Sequence, residues 1–144
     1  MLLEDRMARM LDRAVSGEKF REEIEDWTTS CSEYDHGLKW YIIEMERNLG
    51  DRGVAEFRFL IIEENGYVSF GNYHRLCPKG TGTPSLKQLE SSFAALSMIR
   101  QQPIRAGFTV FQQKNTERWL QRNHYTHDGS VYVKEFVPKP QTPF

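Results

Sequence analysis

What the sequence lacks narrows its class first. No apolar run approaches the roughly 18 residues that a membrane-crossing helix requires. The opening MLLEDRMARM places acids where a secretory signal would carry a basic patch and an apolar stretch. Only two cysteines occur, Cys31 and Cys77, too few for a disulfide framework and expected to stay reduced. No G-x-S-x-G, H-E-x-x-H or Walker A sequence is present, so no nucleophile elbow, zinc-protease helix or P-loop is implied. Internal repeats and low-complexity tracts are missing too. The expectation is a soluble cytoplasmic protein (host cytoplasm or nucleus if viral), with no membrane partner, no cofactor and no metal.

What is present is an ordinary globular composition. The 144 residues are 39% hydrophobic and 27% charged, with nine Phe, six Tyr and three Trp. That length encloses one core comfortably. We expect a single domain over 1–138, followed by a proline-rich tail over 139–144. The net charge of −1 hides an asymmetry. Residues 1–66 carry nine Lys/Arg against sixteen Asp/Glu, and residues 67–144 carry ten against four. Such a split builds a basic binding face if the second half is exposed, or self-neutralises if the halves pack together.

Hydrophobic periodicity supplies the elements. Leu3, Met7, Met10, Leu11 and Ala14 recur at helical spacing, and Phe20, Ile24 and Trp27 continue the stripe after Ser16-Gly17. The opening therefore reads as one broken helix or two short ones. Residues 40–45 (WYIIEM) suit a strand covered on both sides. Asn65-Gly66 between two β-rich runs is the strongest short hairpin signal, because a type I′ turn needs positive φ at both central positions, and it predicts a hairpin over 54–76. With that dipeptide at the tip, Ile61 faces Phe70, Phe59 faces Asn72 and Phe57 faces His74. The opposite face then sets Arg58 against Tyr73 and Glu56 against Arg75. Thr83-Pro84 with Ser85 and Gln88 as a capping box predicts a helix over 84–101. Residues 105–112 read as a strand, 115–121 as a helical turn, and Asp128-Gly129 as the tip of a second hairpin over 122–137. The fold class expected is α+β, with both major helices on a mainly antiparallel sheet.

Helix, three strands, helix is also the element order of the double-stranded RNA-binding domain. The likeness stops at element order, since Ser85-Leu86-Lys87-Gln88-Leu89-Glu90 has one lysine and an acid where that family carries a lysine cluster, and it is not an identification.

Candidate chemistry lies in the second half. Residues 79–85 (KGTGTPS) form a glycine-containing loop with a lysine that runs into a helix start, where free N–H groups favour an anion. Basic residues alternate with aromatics, and basic groups bind phosphates while flat rings stack on bases. The same alternation also describes a half-buried strand, and a pI near 6.4 is low for a dedicated nucleic-acid binder. His124 and His127 fall on opposite faces of a strand, which argues against joint metal ligation, and His74 reads as a buried, hydrogen-bonded histidine. The function expected is a non-catalytic binding module that contacts RNA through Arg58, Tyr73, Arg75, Lys79, Lys87, Arg118, Arg122 and Lys134. The alternative is a protein-interaction module or homodimer that uses the mixed hairpin face or a sheet edge. A small histidine-dependent enzyme ranks third.

Overall fold

A computed structural model describes residues 1–35, 37, 40–110 and 113–140. His36, the last two positions of the expected 105–112 strand and residues 141–144 lie outside the described residues. The fold is α+β: helix α1 (Leu3–Val15), strands β1 (Phe20–Ile24), β2 (Trp27–Asp35), β3 (Trp40–Asn48), β4 (Val54–Glu64) and β5 (Tyr67–Leu76), helix α2 (Gly82–Arg100), strand β6 (Ile104–Thr109), helix α3 (Lys114–Arg122), and strands β7 (Thr126–Asp128) and β8 (Val131–Phe136). All eight strands join one sheet in the order β1-β2-β3-β4-β5-β6-β8-β7. Every pairing is antiparallel except β5 with β6, which run parallel with α2 as the crossover.

The first hairpin forms as expected. Glu64 pairs with Tyr67 across Asn65-Gly66, and both turn residues have positive φ (53° and 79°). Other expectations are corrected. Phe20, Ile24 and Trp27 lie on β1 and β2, not on a helix; the 3-4 spacing arises because Ile24 and Trp27 pair directly across a tight turn. Five strands, not three, therefore separate α1 from α2, and the element order of the double-stranded RNA-binding domain does not hold. Helix α2 begins at Gly82, so Pro84 falls inside its first turn, where its missing N–H costs nothing. The Ser85 and Gln88 side chains form no capping box. Instead, Ser85 Oγ accepts from Arg47 at 3.1 Å and Gln88 Oε1 accepts from Trp27 Nε1 at 2.7 Å. The second hairpin is shorter than expected, because 114–122 is helical, and its tip is Gly129-Ser130, since Asp128 pairs with Val131.

All three helices lie on one side of the sheet. Phe57, Phe59 and Ile61 of β4, Val68 and Phe70 of β5, and Phe108 of β6 are buried there, against Met7 and Leu11 of α1 and Leu86, Leu89 and Phe93 of α2. Phe59 is the hub, with Phe70, Phe93 and Phe108 each set edge-on to it at 5.8–6.2 Å. That geometry adds about 0.5–1.5 kcal/mol per pair beyond the area buried. Ion pairs tie the helices down at their ends, with Arg100 of α2 reaching Asp12 of α1 at 2.8 Å.

Candidate functional site: a cationic cleft beside a strand bulge

The register of β4 and β5 breaks once. Phe59 pairs with Asn72, but Arg58 pairs with His74, so Tyr73 is an extra residue on β5. This bulge overturns the expected register beyond that point. Phe57 lies opposite Arg75, not His74, and Glu56 lies opposite Leu76. His74 is consequently on the uncovered face of the sheet, half-buried, with Nε2 3.2 Å from Glu56 Oε2. Arg75 is turned to the helix side. A bulge re-aims every following side chain, and here it delivers a guanidinium into the interior end of a cleft.

Asn72 holds the bulge. Its side chain is buried, and Nδ2 donates to the Arg58 and His74 carbonyls at 3.1 and 2.9 Å. Its Oδ1 accepts from Arg75 Nη1 at 3.2 Å, and the same Arg75 nitrogen donates to the Thr109 carbonyl at 3.2 Å. Strand β6 pairs with β5 only as far as Asn72 and Phe108. Past that point no described residue pairs with β5 on its β6 side, and the cleft opens at the carboxyl ends of the two parallel strands. In doubly wound sheets ligands settle at the carboxyl ends of parallel strands; this cleft shares that strand-end position, but not the divergence of helices to opposite faces that opens the crevice there.

The cleft has a volume of about 1050 Å³ and is lined by Tyr73 to Gly80 from β5 and its exit loop, Gly82 and Thr83 from the start of α2, Thr109, and residues of α3 with the turn before it, including Trp119 and Arg122. No acidic residue lines it among the described residues. Arg75, Lys79 and Arg122 have no carboxylate partner among the described residues. The N–H groups of Gly82 and Thr83 likewise have no acceptor among the described residues, and no side chain caps this helix end. Gly80 has φ +79°, a left-handed conformation that keeps the loop tight. Trp119 stands against Gly82, anchored by Nε1–H donated to Thr83 Oγ1 at 2.9 Å.

Burial lowers the pKa of Arg75 from its ordinary value, and the neighbouring Cys77 acts in the opposite direction. Burial raises the Cys77 thiol, partly opposed by the Arg75 charge. The guanidinium stays charged, whereas the thiol stays protonated at neutral pH and is a poor nucleophile. Burial also raises the Tyr73 hydroxyl, followed by Glu44, with Arg58 opposing. Both of those charges belong to the uncovered face, so the Tyr73 ring stands at the rim, between that face and the cleft.

Of the expected contact residues, the cleft brings together Tyr73, Arg75, Lys79 and Arg122. The others go elsewhere. Arg58 is on the uncovered face, 3.9 Å from Glu44. Lys87 and Lys134 both bind the nearly buried Glu90, at 3.2 and 3.0 Å; the Lys87 pair lies within α2, whereas Lys134, which also donates to the Asn123 carbonyl, fastens α2 to β8. Arg118 is exposed on α3 outside the lining. Asn72 was not assigned as a site residue from sequence; Thr83 lies within the expected anion-favouring loop over 79–85, and Trp119 within the second-half run where basic residues alternate with aromatics. The isolated Gly71 inside a strand pattern is the one local hint of the bulge that Asn72 holds. Among the described residues no three His, Cys, Asp or Glu side chains converge on a metal position. His127 stacks on Tyr132 at 4.9 Å, and His124 precedes β7 with φ 70°.

No protein-family model matches the chain, and no curated protein matches it in sequence.

Proposed function

We propose that the protein is a binding module for a ligand that combines phosphate with a flat ring, the chemistry of a nucleotide or of an RNA strand, held in the cleft beside the bulge. The observation that carries this reading is the set of three cations, Arg75, Lys79 and Arg122, around a cleft whose described lining holds no acid. Cations left without carboxylates hold a standing attraction for an anion. Two free N–H groups at the start of α2 add directed donors of the kind that phosphates accept. Trp119, half-buried in the wall, and Tyr73 at the rim offer rings for stacking, worth about 1–3 kcal/mol per base.

Titration of the protein with inorganic pyrophosphate, ADP and a 5′-phosphorylated oligouridine, followed by tryptophan fluorescence at about 50 mM salt, tests the reading. The expected result is saturable binding that Arg75→Met weakens at least tenfold. Equal competition by ADP and the oligonucleotide marks a free nucleotide as the ligand, and preference for the oligonucleotide marks an RNA strand. Failure of all three probes to bind at millimolar concentration, or binding indifferent to Arg75→Met, overturns it.

A further inference from the structure

We propose that the uncovered face of the sheet is a second, separate binding surface, and that it docks a protein surface carrying basic and apolar side chains. No described helix covers this face. Its middle strands present Tyr34, Trp40, Ile42, Leu60, Ile62 and Tyr67. Tyr34 and Trp40 stack at 6.3 Å with their planes 10° apart. Ile42 and Leu60 are direct cross-strand partners, and Leu60 is followed across the sheet by Gly71. A Cβ built at Gly71 would meet only the Leu60 carbonyl, at 3.8 Å, so the apolar row ends in a shallow trough. Tyr34 is 60% exposed and Tyr67 42%. Aromatic and aliphatic groups gathered in this way are the usual core of a protein contact.

Charge selects the occupant. Beside the apolar row the same face carries Glu23, Glu44, Glu46, Glu56 and Glu64 against Arg21, Arg58 and Arg105, the last of these paired with Asp128. Glu46 lies directly opposite Glu56, a like-charge pair that costs stability, and Glu46 has no cationic partner among the described residues. A partner that brings lysine or arginine relieves this repulsion. A second copy laid face to face would set acids against acids, and a nucleic acid would be repelled. The surface is therefore complementary to a basic protein surface. It lies apart from the cations of the cleft, which sit on the helix side of the sheet.

The test uses the full chain, isotopically labelled, titrated with a synthetic peptide of alternating lysine and leucine and with its glutamate–leucine counterpart while amide chemical shifts are followed. The lysine peptide is expected to shift residues around Ile42, Leu60, Ile62 and Tyr67. Its affinity should fall at least tenfold in Leu60→Ser and at least threefold in the surface variant Glu46→Gln/Glu56→Gln, which leaves the core untouched. The glutamate peptide should leave these residues unmoved. Equal binding of both peptides, shifts confined to the cleft, or an affinity unchanged in Glu46→Gln/Glu56→Gln overturns the proposal. A dimer by sedimentation that Leu60→Ser abolishes also overturns it, by making a second copy the occupant.

Discussion

Arg75 donates from its guanidinium to Asn72 Oδ1 at 3.2 Å, while the Asn72 amide donates to the carbonyls on both sides of the bulge. One buried side chain thus fixes the irregularity and also the cation that the irregularity delivers. Asn72→Ala removes all of these hydrogen bonds, including those to the Arg58 and His74 carbonyls, so we expect a loss of about 2–4 kcal/mol in urea unfolding. In the folded fraction, binding of phosphate ligands should weaken as well, because Arg75 loses its orientation. Ligand affinity unchanged from the parent protein would separate the bulge from the site.

The cations divide into binding and structural groups, and mutation should sort them. Lys79→Gln and Arg122→Gln should each lower the slope of log affinity against log salt by about one, if each neutralises one phosphate, with stability within about 0.5 kcal/mol of the parent. Arg58→Gln, on the other side of the sheet, should change neither slope nor affinity for phosphate. Lys134→Gln should behave oppositely. It leaves Glu90, 6% exposed, with Lys87 as its remaining cation, and the expected loss is about 3 kcal/mol, read from the shift in the urea midpoint with the slope unaltered.

Phe59 is the centre of the core. Phe59→Ala deletes the ring that Phe70, Phe93 and Phe108 all meet edge-on, and should cost about 3–5 kcal/mol. Phe59→Leu, which keeps most of the volume, should cost less than half of that. Comparable losses for the two in thermal unfolding would mean that the site collapses around the cavity, and the hub assignment would fall.

The sequence revealed some of these features and concealed others for physical reasons. The Asn65-Gly66 reversal was readable because its demand for positive φ is met by two residues that tolerate it. The turn between β1 and β2 was not, since Glu25 takes a positive φ of 53° without glycine or asparagine to mark it, and its flanking Ile24 and Trp27 imitate a helical stripe. Lys79 and the glycine loop were legible as an anion-favouring segment, because loop and helix start are neighbours in sequence. The cleft itself joins β5, α2 and α3, which only the folded sheet assembles. Its key orientation depends on one inserted residue, Tyr73, which no alternation of apolar and polar positions could place.

The Cys31 thiol provides a pH test of the buried side of the sheet. Cys31 is 4% exposed, between Phe20 and Ile43 in register, and burial pushes its thiol from an ordinary value of 9.0 up to about 11. A thiol whose pKa is higher in the folded protein is held protonated there, while the unfolded chain releases the proton sooner. Its contribution is therefore fully present below about pH 9 and is lost as the pH rises toward 11. The loss approaches about 1.4 kcal/mol per pH unit within that window. Urea unfolding at intervals from about pH 7 to 11 should show the parent protein losing stability faster than Cys31→Ala above about pH 9, with the two curves parallel below it. Curves that stay parallel throughout would place the Cys31 thiol in contact with water and remove it from the core.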